Sequence, residues 1–128
     1  IIHRGNDPII NSVILCGRNS AEYYCRNKLL KYPVISVSDF ITYGFISYMA
    51  EQNLKMGVDF KLISYDNLER DLQNPSNKLG ISAITHPKEE AAKAVVELLD
   101  SLLATNANKD FYRTYFVPAK ELVIRDSC

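Results

Sequence analysis

The chain has 128 residues, 47% of them hydrophobic, and its fifteen basic and fifteen acidic side chains cancel to a net charge of zero. That is one domain or less, apolar enough for a core, and without the overall field that draws a protein to nucleic acid or to an anionic membrane. No apolar run approaches the ~20 residues that span a bilayer, and Ile1-Ile2-His3-Arg4 has neither the apolar core nor the cleavage site of a signal peptide.

Residues 1–12 read as an irregular lead-in, with Gly5-Asn6-Asp7-Pro8 a turn signal. Val13-Ile14-Leu15-Cys16 predicts a short buried strand closed by Gly17, and Asn19 or Ser20 a helix cap, the helix running to Lys31. Pro33 ends that helix, and residues 34–37 predict a second strand. Ser38 or Asp39 then caps a helix to about Asn53, with Ile41, Phe45, Tyr48 and Met49 at helical spacing. In residues 58–64, Val58, Phe60 and Leu62 alternate with Asp59 and Lys61, which predicts a third strand. A polar stretch over 68–78, broken at Asn74-Pro75, predicts a short helix or turn, and residues 81–84 a short extended segment. Pro87 suits a first helical turn, and residues 88–104 predict a helix with Ala91, Ala92, Val95, Leu98, Leu99 and Leu102 on one stripe. Beyond a loop at 105–110, alternation over 111–117 and a last strand at 122–124 complete the chain. Strands alternating with helices predict an α/β fold with a parallel sheet wrapped by helices.

Two of these strands stop at a carboxylate: the second at Ser38-Asp39, the third at Tyr65-Asp66-Asn67. In an open α/β sheet, ligands bind at the carboxyl ends of the strands. A single Asp after a strand also serves as a helix cap or turn residue. Two at matching rims offer ionised acceptors to adjacent hydroxyls of a polyol. Cys16, Cys25 and Cys128 are odd in number and lack CxxC spacing, which predicts free thiols in a reducing compartment and a cytoplasmic protein. Only His3 and His86 could join them around zinc, and neither stands at ligand spacing. Nothing accompanies the carboxylates that would make them an acid/base pair, so no enzyme and no cofactor is expected. The chain begins without Met, as a fragment would.

Four motifs carry a resemblance. Pro33-Val-Ile-Ser-Val-Ser-Asp39 with Gly44 gives a strand ending in Asp and a glycine five residues on. Gly57-Val-Asp-Phe-Lys-Leu-Ile-Ser-Tyr-Asp66-Asn67, Ile81-Ser-Ala-Ile-Thr-His-Pro87 and Val117-Pro-Ala-Lys-Glu-Leu-Val-Ile-Arg-Asp-Ser127 follow. In this order over residues 33–128 they resemble the C-terminal part of the lac repressor/galactose repressor family of bacterial transcription regulators. The chain departs from that family's usual residues at Thr42 (alanine), Ser64 (glycine), Ala83 (threonine) and His86 (glutamine).

The resemblance implies a periplasmic-binding-protein-like (type I) effector domain of two α/β subdomains with a small molecule, a sugar or nucleobase, in the cleft between them. Residues 1–128 would supply mostly the C-terminal subdomain of the effector-binding and dimerisation domain, without the first subdomain's sheet. Operator DNA would be read by a headpiece absent from this chain. Asp39, Asp66, Ser38, Tyr65 and His86 would face the ligand, His86 either as a donor or as a cleft-wall or hinge residue. Tyr43, on the helix that contributes dimer contacts in the family, would lie at a homodimer interface; a core role for Tyr43 and Tyr48 is the competing reading. A solute-binding protein of the same fold, serving a sugar transporter, is the alternative function. No membrane partner is implied.

Overall fold

Helix α1 (Pro8–Arg26) begins where Asp7 accepts a hydrogen bond from the Ile9 amide at 2.9 Å and Pro8 takes the first helical position, where its missing N–H costs nothing. The computed structural model describes residues 7–67, 79–104 and 116–128. The expected stretches at 68–78 and 105–110, and most of the 111–117 alternation, lie outside them. After α1 come β1 (Val34–Ser36), α2 (Asp39–Glu51), β2 (Leu62–Ser64), β3 (Ser82–Thr85), α3 (Lys88–Ala104) and β4 (Glu121–Val123).

Several expectations fail in the first half of the chain. Because Asp7-Pro8 starts α1 far earlier, residues 8–12 are helix rather than irregular lead-in, and Asn19 and Ser20 lie inside α1 rather than at its cap; the helix ends at Arg26 rather than Lys31. Residues 13–16 are not a strand but the second turn of α1. Their apolar run divides by helical rotation: Ile14, Gly17, Ala21 and Tyr24 turn inward while Leu15 and Cys16 face out. The third strand is confined to Leu62–Ser64, because Gly57, at φ +82°, opens a turn that exposes Val58. Only Phe60 and Leu62 of the alternating set are buried.

The sheet runs in the order β1-β2-β3-β4. The first two pairings are parallel, with Ser36 opposite Ser64 and Ser64 opposite Ala83. β4 is antiparallel to β3, so the sheet is mixed rather than parallel throughout. Helices α1 and α2 cover one face, and Ala21, Tyr24, Phe45, Met49, Phe60, Leu62 and Ile81 form the core between. Phe45 stands edge-on to both Tyr24 and Phe60, at centroid distances of 5.6 and 5.9 Å.

The two helices cross at glycines. A Cβ on Gly17 would collide with the Ile41 carbonyl, and one on Gly44 with the Ile14 carbonyl. Backbone touches backbone at both points, and neither neighbour can rotate aside. Arg18 clamps the crossing through paired hydrogen bonds to Glu51 at 2.8 and 2.6 Å, which raise the guanidinium's pKa and hold the Glu51 carboxyl below its usual range.

At the other edge the terminal motif is a splice. Ser127, fully buried, accepts from the Ser82 amide at 2.7 Å and donates to the Leu62 carbonyl at 2.6 Å. Its own backbone carbonyl accepts from the Leu62 amide at 2.9 Å. By contrast α3 buries none of its residues; Val95, Val96, Leu99 and Leu103 are all more than half exposed. Of its apolar stripe, Ala92, Val95 and Leu99 are exposed and Ala91, Leu98 and Leu102 half-buried.

Candidate functional site

The carboxyl ends of β1 and β2 meet the start of α2. Ser38 is the N-cap of α2 in extended conformation, yet its hydroxyl makes no capping hydrogen bond. Its carbonyl instead accepts from the Thr42 amide at 2.8 Å and lies 2.8 Å from the Thr42 hydroxyl. Asp39 follows as the first residue of the helix, where the amino-terminal dipole favours a carboxylate. On β2, the Tyr65 amide donates to the Ser36 carbonyl at 2.7 Å, extending the ladder one step beyond Ser64. Asp66 emerges at the rim in the bend that follows β2, and Ser64 fills its position without a positive φ.

Asp39 and Asp66 line one narrow cleft, with Thr42, Ser64, Ala83 and Arg125 among the walls. The Nε2 of His86 stands 3.0 Å from Oδ1 of Asp66, and the two side chains are about one-third exposed, within reach of a ligand. Tyr65 packs edge-on against the His86 ring at a centroid distance of 4.4 Å. Tyr65, Asp66 and His86 thus form a single cluster. Tyr43 is exposed on α2 and contributes to the rim of the same cleft.

Behind the rim is a support built on Arg125, a structural residue of the terminal motif, and on Asn67. Arg125 donates to the Ile81 carbonyl and, at 2.9 Å, to Oδ1 of Asn67; the Asn67 amide donates to the Thr85 hydroxyl at 2.9 Å. The residue after Asp66 is thereby tied to β3 and to the chain terminus. Asn67, Thr85 and His86 also line a second, polar cleft with Lys88, Glu89 and Lys120. There Glu90 pairs with Lys120 at 3.3 Å, and its carboxyl is held below the usual range by its own backbone amide and by Lys120. Among the described residues no group of three or more His, Cys, Asp or Glu could hold a metal ion.

The arrangement offers carboxylate oxygens, an imidazole and an exposed phenol ring at a strand rim. Residues 12–128 match the periplasmic binding protein-like domain family. The chain belongs to that family. The resemblance to the lac repressor/galactose repressor effector domains holds within it: the chain is 31% identical, over 96% of its length, to the HTH-type transcriptional regulator MalR of Clostridium butyricum. It spans 37% of that regulator's length.

Solved structures of such regulators share the fold of this periplasmic binding protein-like domain. A putative LacI-family repressor from Corynebacterium glutamicum superposes with a TM-score of 0.68 at 21% identity, over 89% of this chain and 41% of that one. The Lac repressor bound to ONPG gives 0.68 at 18% identity, over 90% and 33%. A putative transcription regulator from Staphylococcus saprophyticus gives 0.69 at 15% identity, over 92% and 39%. At such identities the likeness is one of fold.

Proposed function

We propose that this chain is the ligand-sensing and dimerising part of a bacterial transcription repressor, mostly the second subdomain of its effector domain, and that it responds to a sugar or similar polyol. The observation that carries this reading is the shared cleft of Asp39 and Asp66, two carboxylates delivered by parallel neighbours β1 and β2. His86 engages one oxygen of Asp66, leaving the other for a ligand hydroxyl. Asp39 accepts a second hydroxyl across the cleft, Ser38 and Tyr65 flank them, and the exposed face of α2 with Tyr43 meets a second copy. Kinship with MalR supports a regulator over a transport protein. Operator DNA is read by a headpiece outside these residues, and the assembled regulator works in the cytoplasm.

Such a regulator shifts between states only if its ligand binds one of them better. A hydrogen bond to a charged group is worth about 1.5–3 kcal/mol, so Asp66→Ala should weaken sugar binding about tenfold or more. Asp66→Asn, which keeps one acceptor, should do less. Calorimetric titration of the intact regulator with a panel of mono- and disaccharides gives the measurement. If the panel yields a ligand and Asp66→Ala binds it as tightly as wild type, Asp66 is a turn residue only.

A further inference from the structure

Three hydroxyls meet where β1, β2 and α2 converge, two of them in the cleft lined by Asp39 and Asp66. Ser36, Thr42 and Ser64 are all 95% or more buried. Thr42 Oγ1 lies 2.7 Å from Ser36 Oγ, 2.8 Å from the Ser38 carbonyl and 3.3 Å from Ser64 Oγ; Ser36 Oγ lies 3.3 Å from the same carbonyl. Thr42 has one proton and cannot donate to both Ser36 and Ser38. With Ser64 donating to Thr42, Thr42 to Ser36 and Ser36 to the Ser38 carbonyl, every proton has an acceptor and the chain of bonds runs one way. It begins two residues before Asp66 and ends on the residue before Asp39.

We infer that Thr42 and Ser64 are positioning residues: through this buried relay they lock the end of β2 to the end of β1 and to the first turn of α2, and so set the two carboxylates against each other. The Tyr65 amide already ties β2 to the Ser36 carbonyl, and Phe45 and Met49 hold the body of α2 in the core. The relay adds a side-chain tie at the first turn of α2, where bonds in a dry environment polarise one another and each lost member strands a buried partner. Both residues are departures from the family's usual small side chains. Their hydroxyls satisfy each other, so the departures act as a pair. Alanine at 42 with serine at 64 would leave the Ser64 hydroxyl without that partner.

The inference rests on the proposed site but not on any ligand, and its test is run without one. Thr42→Val keeps the shape of the side chain and removes the hydroxyl; Thr42→Ser keeps the hydroxyl. In the full 128-residue chain, NMR follows the His86 ring resonances, which report the 3.0 Å approach of Nε2 to Asp66, and the side-chain carboxyl carbons of Asp39 and Asp66. Thr42→Val should shift the His86 ring resonances and both carboxyl resonances, while Thr42→Ser retains wild-type values. A Thr42→Val protein with wild-type signals at all three groups and only a lower melting temperature would make Thr42 a packing residue and overturn the inference. Should that variant not fold, Ser64→Ala, which cuts only the β2 end of the relay, is read by the same signals to the same two outcomes. Failure of every sugar to bind would count against the proposed function and leave these signals unaffected.

Discussion

Ser127 offers the most direct test of how the terminal motif holds the site's strands. Ser127→Ala deletes an oxygen that accepts from the Ser82 amide at 2.7 Å and donates to the Leu62 carbonyl at 2.6 Å. Both Ser82 and Ser127 are fully buried, so water does not replace the lost acceptor and the Ser82 N–H is left unmet. A buried donor without a partner costs about 1–3 kcal/mol. The main-chain bonds from Leu62 N to Ser127 O and from Ser127 N to Gly80 O persist, because they do not use the side chain. For a chain of this size ~1 kcal/mol corresponds to roughly 3–5 °C, so the melting temperature should fall by about 3–15 °C. Urea unfolding should show a lower midpoint with an unchanged slope, since the surface exposed on unfolding is the same. Ser47→Ala is the control: its hydroxyl bonds back to the Tyr43 carbonyl at 2.7 Å on the helix exterior, and its loss should stay within about 0.5 kcal/mol. A Ser127→Ala effect no larger than that of Ser47→Ala would refute the splice.

Two other perturbations address the helix crossing. Gly44→Ala should destabilise by about 1–3 kcal/mol despite the ~1 kcal/mol that alanine gains in an isolated helix, because the new Cβ meets the Ile14 carbonyl and the Arg18 amide nitrogen, which are backbone; a chain as stable as wild type in urea would show that α1 and α2 separate freely. Glu51 has its folded pKa lowered by Arg18, so its contribution is present above the unfolded glutamate value of about 4.3 and is lost as pH falls through the folded one. Glu51→Gln should accordingly be less stable than wild type at pH 7, with the gap small for so exposed a pair and closing below about pH 4; a gap that persists at pH 3 would show that the ion pair is not its source.

The parts of the fold that sequence displayed are those where periodicity and punctuation agree. α3 matches its expected bounds because Pro87 starts it and its apolar stripe is unbroken; α2 does so because Ser38-Asp39 opens it and Asn53, at φ 59°, closes it. The error in α1 arose where the signals compete. Four consecutive apolar residues at 13–16 satisfy a buried strand as readily as a helix, and Asp7-Pro8 is both a turn signal and a helix start. Alternation continues through Val58 into a turn, so it overstates the third strand, which is confined to Leu62–Ser64. For the site, Asp39 and Asp66 were legible as strand ends, and Tyr65 and His86 through the motifs that contain them. Arg125 and Asn67 meet 58 residues apart, and Ser36, Thr42 and Ser64 meet across three elements. Such contacts follow from register and helix placement, which no local pattern encodes.

The location of the departures from the family pattern bears on how this domain is built. Thr42, Ser64 and Ala83 line the cleft with the two aspartates, and His86 binds one of them. Where the chain keeps the pattern, the residues hold the framework: Gly44 admits the Ile14 carbonyl, Gly57 admits the Asp126 carbonyl, Arg125 braces Asn67, and Ser127 joins β2 to β3. These framework contacts are backbone collisions avoided or buried hydrogen bonds made, and any substitution there costs stability directly. The cleft residues differ in kind. The Thr42 and Ser64 hydroxyls partner each other and Ser36, and the His86 imidazole stands against Asp66, so each depends on a side chain of the rim itself and a substitution at one calls for a matching substitution at its partner.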